Sequence, residues 1–69
     1  MDRALKFKVA RLKKGLTQMQ LREKAKTNIQ TIINIEKGKS IDGLRVGTIK
    51  KLAAILECSV NDLFFSEED

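Results

Sequence analysis

The stretch from Gly15 to Gly38, GLTQMQLREKAKTNIQTIINIEKG, leaves little freedom in what this chain can become. Thr17 is a hydroxyl N-cap in front of the run 18–25, and Asn28 is a side-chain cap in front of the run 29–36. Only Lys26 and Thr27 separate the two runs, so two short helices must meet at an angle. Gly38 follows the second run, where glycine takes a left-handed C-terminal turn at least cost. On a helical wheel Ile32 and Ile35 point one way, with Asn28 and Glu36 flanking them. Gln30 and Asn34, four residues apart, point the opposite way with Ile33 beside them, and Ile29 and Thr31 lie near the boundary. The second helix thus has one face to bury and one that carries amides.

The flanking sequence reads as further helices. A first helix over residues 3–14, ended by Gly15, carries apolar residues on two faces: Leu5, Val9 and Leu12 on one, Ala4, Phe7 and Ala10 on the other. Such a helix is expected to be covered on both sides, by the central pair and by the C-terminal part. Within the central pair, Leu16, Leu21 and Ala25 are expected inside. Residues 39–45 (KSIDGLR) form a loop around Gly43, either tracking a partner or mobile. A fourth helix starts between Arg45 and Thr48 and lines up Ile49, Leu52, Ala53 and Leu56. Ser59 then caps a short fifth helix over 60–65. Residues 1–65 are expected to form one domain and 66–69 a short acidic tail. Because Phe64 and Phe65 are consecutive, they cannot both face one core. Leu63 or one phenylalanine closes the monomer, and the other is a candidate for a dimer contact.

Composition narrows the chemistry. The chain has 69 residues, one cysteine and no histidine, which excludes a disulfide framework, the usual Cys/His zinc sites and histidine-based catalysis. No phosphate-cradling glycine loop is present, so neither an enzyme nor a cofactor is expected. Cys58 reads as a small core residue. No apolar run exceeds five residues, and the N-terminus lacks a signal-peptide core, so a soluble, cytoplasmic chain is expected, without membrane or small-molecule substrate. All 14 lysines and arginines lie in residues 1–51 against four acids, a balance of +10. Residues 52–69 hold five acids and no base. A basic body suits a polyanion, and an acidic end suits a face turned away from it.

Two helices joined by a tight turn form a helix-turn-helix, whose second helix has the width of the DNA major groove. The order Leu16-Thr17-Gln18-x-x-Leu21, then Thr31-Ile32-x-x-Ile35-Glu36-x-Gly38, resembles the Cro/repressor-type (lambda-repressor-like) helix-turn-helix family, and residues 52–64 resemble that family's last two helices. The resemblance spans roughly residues 4–65 and implies an all-α, compact five-helix domain. The pattern departs from the family at Arg22, where a small residue is usual at the helix crossing. It departs again at Lys26, where glycine is usual in the turn, and at Thr27, where an aliphatic is preferred. An arginine stem can snorkel out of a crossing, and lysine can take a left-handed turn with some strain.

The resemblance assigns expectations to residues. Gln18, at a helix N-terminus, is expected on a DNA phosphate. Gln30 and Asn34 are the leading base readers, because an amide offers the donor and acceptor that the N6/N7 edge of adenine requires. Ile33 either covers a thymine methyl or belongs to a protein interface, and Ile29 either touches a base or edges the core. Thr31 bonds a phosphate or its own backbone, and Asn28 adds a phosphate contact to its capping. Lys37, Lys39 and Ser40 would lie along the phosphate backbone, and Lys6, Lys8, Lys13 and Lys14 are within possible reach. Arg11 and Glu36 match a family ion pair and are read as structural. The expected function is a sequence-specific regulator, a repressor of phage or mobile-element type, acting as a homodimer on double-stranded DNA with or without a regulatory protein partner. The competing expectation is an antitoxin-like or anti-repressor-binding interaction module, favoured by Met19, Ile33 and the paired phenylalanines.

Overall fold

Each helix begins where a short polar side chain or a turn allows it. The computed structural model of the chain describes residues 2–65, and among them are five helices and no strand. They are α1 (Arg3–Lys13), α2 (Gln18–Ala25), α3 (Ile29–Glu36), α4 (Val46–Leu56) and α5 (Asn61–Phe65). The acidic tail expected over 66–69 lies outside the described residues. Asp2 Oδ1 accepts from the Leu5 N–H at 2.8 Å and opens α1. Thr17 Oγ1 accepts from the Gln20 N–H at 3.0 Å while Gln20 Oε1 accepts from the Thr17 N–H at 2.9 Å, a reciprocal capping box. Asn28 Oδ1 accepts from the Gln30 N–H at 2.7 Å and opens α3. Only α4 starts without a side-chain cap, at Arg45.

The ends of α1 to α4 share one closure, in which an N–H beyond the helix reaches back to a carbonyl of its last turn. The pairs are Leu16 to Arg11 (3.2 Å), Thr27 to Arg22 (3.2 Å), Lys39 to Asn34 (3.0 Å) and Cys58 to Ala53 (3.0 Å). Each closure needs a left-handed residue. Gly15 and Gly38 supply it after α1 and α3, but Lys26 (φ 54°) and Glu57 (φ 56°) supply it after α2 and α4. Lys26 therefore takes the conformation that its place in the turn demands, with strain. Lys26→Gly is expected to raise stability by about 0.5–1 kcal/mol, the relief at a left-handed position less the added freedom of the unfolded glycine. A lower urea midpoint for that variant would show that the lysine side chain holds the turn.

Glu57 has a compensation, because its carboxylate meets Lys14 Nζ at 2.6 Å. The hydrogen bond and then the charge of Lys14 hold the Glu57 carboxyl below its usual value of 4.5. The folded state gains from this pair at pH values above the unfolded carboxyl's titration, and loses it as pH falls through the lowered folded value. Lys14→Ala is expected to move the Glu57 titration back up toward 4.5, as followed by carboxyl chemical shifts. An unmoved titration would clear Lys14 of the effect.

Phe7, Leu21, Ile32, Ile35 and Leu52 are the largest fully buried side chains, and Ile49, Ala53 and Leu56 complete the α4 stripe. Two expectations need correction. The α1 face of Leu5, Val9 and Leu12 is covered only in part: Leu5 is 47% and Leu12 55% exposed, and Val9 is half-buried. The elements packed on α1, α3 and α5, reach it from the other side, through Glu36 on Arg11 and Phe64 on Phe7, whose ring centroids lie 6.0 Å apart. Phe64 is likewise no candidate for a dimer contact, being 3% exposed, whereas Phe65 is 57% exposed. Leu63 and Phe64 are both buried, as the adjacent Leu52 and Ala53 of α4 are, and Phe64 closes on Phe7 of α1.

The loop before α4 is anchored rather than loose. Ile41 is buried in the core, Ser40 Oγ accepts from the Asp42 N–H at 3.1 Å, and Arg3 Nη2 donates to the Lys39 carbonyl at 2.6 Å. At the crossing of α2, Arg22 snorkels only in part. It is half-buried, and its Nε is shielded from solvent with no hydrogen-bond partner. Cys58 is half-buried against the core, with Sγ 3.4 Å from the Leu56 carbonyl.

Candidate nucleic-acid interface

Arg11 is the hinge pin of the site. It lies late in α1, and its Nε and Nη2 donate to Glu36 Oε2 and Oε1 at 2.6 and 3.0 Å, a bidentate pair across two helices. Its third nitrogen, Nη1, donates to the Leu16 carbonyl at 2.7 Å. Both charged side chains are more than nine-tenths buried. Glu36 Oε1 also accepts from Gln18 Nε2 at 3.2 Å. One set of bonds thus ties together the end of α1, the start of α2 and the end of α3.

With Ile32 and Ile35 in the core, the opposite face of α3 is left outward. Gln30 is exposed and Asn34 half-buried, and Gln30 Nε2 donates to Asn34 Oδ1 at 2.9 Å. Ile29, Thr31 and Ile33 are half-buried at the margins of this face. Asn28 is exposed, with Oδ1 engaged in capping. Gln18 sits half-buried with one amide N–H already given to Glu36, so the donors it has left for an anion are its helix-start N–H and the second hydrogen of Nε2.

The basic residues separate into two groups. Lys37, Lys39 and Ser40 are exposed just past α3, and the Lys39 main chain is tied at both ends, by Arg3 and by the Asn34 carbonyl. Lys37, Lys8 and Arg3 border one cleft beside Gly38. Lys6, Lys13 and Lys14 border a different groove, shared with Glu57 and Asp62. The four α1 lysines are alike in sequence, and the fold puts Lys8 alone of them next to the end of α3. Arg3 was not singled out, nor was Arg45, which stands exposed at the uncapped start of α4. The signal for Arg45 was a cation at a helix N-terminus, where an acid or hydroxyl is favoured.

A double cap, a buried inter-helix pair and an outward amide face define a helix-turn-helix DNA-binding domain. A helix-turn-helix family model matches residues 7–63. The chain belongs to the Cro/C1-type helix-turn-helix family of DNA-binding regulators, and its five-helix all-α architecture is that of the lambda-repressor-like fold. Neither a search of curated proteins nor a search of solved structures gives a match. Among the described residues, no helix is long and apolar enough to cross a membrane, and no cluster of acids and cysteine has metal-holding geometry.

Proposed function

We propose that this regulator is a sequence-specific repressor that lays α3 in the major groove and binds a pseudo-palindromic operator as a homodimer. The single observation that carries this reading is the outward amide face of α3, held by the Arg11–Glu36 pair at its far end. Gln30 and Asn34 read bases, with Ile29 and Ile33 in apolar contact at the groove. Asn28, Thr31, Gln18, Lys37, Lys39 and Ser40 hold the phosphates on either side, and Arg3, Lys8 and Arg45 extend that surface. Two copies would place their α3 helices about 34 Å apart, the repeat of adjacent major grooves on one side of the duplex. Phe65 and Val46, both largely exposed, are available to a second copy. Residues 1–65 act as one domain, in the cytoplasm, in a phage or mobile-element setting, and without catalysis.

The test is retardation of promoter DNA at several salt concentrations. Lys39→Ala removes only a side chain whose backbone bonds persist, so it is expected to weaken all sequences alike and to lower the slope of log affinity against log salt by about 1. An unchanged slope would take Lys39 out of the phosphate surface. The exposed Leu5, Leu12, Met19 and Phe65 favour the second reading, a protein-interaction module on the same fold. Absence of any salt-sensitive binding to promoter DNA would transfer the account to it.

A further inference from the structure

We infer that the outer side of α1 is a docking seam for one acidic, amphipathic helix supplied by another protein. The apolar residues on that side are Leu5 and Leu12, 47% and 55% exposed, with half-buried Val9 between them. Their spacing of four and then three residues is that of a heptad seam, with leucine, valine and leucine at positions d, a and d. Valine at a with leucine at d suits a two-stranded pairing. The seam runs along about 10 Å of helix. In the same register Phe7 and Arg11 fall at f and c, on the opposite side, and both are buried in the domain. The side that can receive a helix and the side that holds α1 in place are therefore distinct.

The residues flanking the seam decide the partner. Position e is Lys6 and again Lys13, and position g is Lys8. From these positions one helix of a pair reaches the charges of the other. Lys8 and Lys13 are exposed, and no ion pair among the described residues engages either. Lys6 and Lys13 border the groove shared with Glu57 and Asp62, but Glu57 is held by Lys14 at 2.6 Å. A second copy of α1 would bring lysine against lysine in either orientation, parallel or antiparallel, so the seam rejects its own kind. A helix with leucine along its seam and glutamate or aspartate at its flanks covers the two leucines and pairs the lysines. The same charges turn away a basic helix. The docking does not depend on what α3 binds. Lys8 also belongs to the phosphate surface proposed above, so the docking is measured without DNA.

The experiment titrates the isotope-labelled full chain with two synthetic peptides of about three heptads. Both carry leucine at a and d, and they differ only in having glutamate or lysine at e and g. Each repels its own kind, so neither is lost to self-pairing. The glutamate peptide is expected to bind, more weakly as salt rises, and to shift the amide signals of Leu5, Lys8, Val9, Leu12 and Lys13. The lysine peptide is expected to leave them unmoved. Leu5→Ser with Leu12→Ser is expected to weaken the glutamate peptide about tenfold or more. Lys8→Glu with Lys13→Glu is expected to exchange the preference, losing about 5- to 30-fold for the glutamate peptide and gaining the lysine one. All four side chains are exposed, and a gained affinity cannot come from a folding defect. Equal binding of both peptides, binding of neither, or shifts centred on Phe65 would overturn the seam. So would a wild-type chain that sediments as a dimer and becomes monomeric with the two serines, which would give this side of α1 to a second copy. Attachment to phosphatidylglycerol vesicles that the two serines abolish, without binding of the glutamate peptide, would give it to a lipid surface instead.

Discussion

Glu36→Ala is expected to lower stability by about 3–5 kcal/mol, the cost of leaving one member of a buried ion pair without its partner. Arg11 would keep its 2.7 Å bond to the Leu16 carbonyl but lose both bonds to the carboxylate, in a site that admits almost no water. Gln18 would lose its acceptor at the same time. A domain of this size has about 4–10 kcal/mol in total, so this one substitution removes a large share of the folded population. Chemical denaturation followed by circular dichroism measures it. An apolar pair such as Arg11→Met with Glu36→Leu is expected to restore much of the loss, since the charges matter here for direction more than for net energy. Such a rescued chain with poor DNA binding would show that the bidentate geometry sets the inclination of α3. A loss near zero for Glu36→Ala would mean that the pair is dispensable.

The second large effect concerns recognition. Asn34→Ala is expected to weaken binding to the specific site by about 1–3 kcal/mol and to leave non-specific DNA binding nearly unchanged. The reason lies in the division of labour on the surface. In the function proposed above, Lys37, Lys39 and the cations near them attract any duplex, whereas the α3 amides meet only base edges. Asn34 is half-buried and its main-chain carbonyl accepts the bond that closes α3, so the alanine variant retains the helix while the amide disappears. Competition assays with specific and random duplexes separate the two terms. Equal loss on both would place Asn34 on the phosphate backbone instead.

Much of this molecule could be read before it was seen, and the reasons are local. Thr17 and Asn28 sit one residue ahead of α2 and α3 because only such side chains satisfy the first N–H groups, and those bounds follow directly. The inward residues Leu21, Ile32, Ile35 and Leu52 follow from helical period. What could not be read depends on which elements meet. The period of α1 gives two apolar faces but not which of them finds a neighbour, and Leu5 and Leu12 stay out. Ile41 lies in a mostly polar loop, and only the fold tells that it reaches the core. Leu63 and Phe64 go in together because of what packs around α5, which spacing along the chain does not tell.

The candidate site divides in the same way. The amides of α3 were legible from spacing, but their bond to each other was not, since i, i+4 neighbours can face apart or meet. Gln18 was assigned to an anion from its place at a helix start, yet its amide is directed to Glu36, whose proximity comes from tertiary packing. The same packing sorts Lys8 from Lys6, Lys13 and Lys14, which share a helix and differ only in the neighbours they acquire.

The most direct measurement is sequencing of the duplexes that this chain retains from a random pool, run beside a chain in which Gln30 and Asn34 are both alanine. The account predicts a symmetric motif for the first, and retained but motif-free DNA for the second. The same motif from both chains, or none from the first, would contradict it.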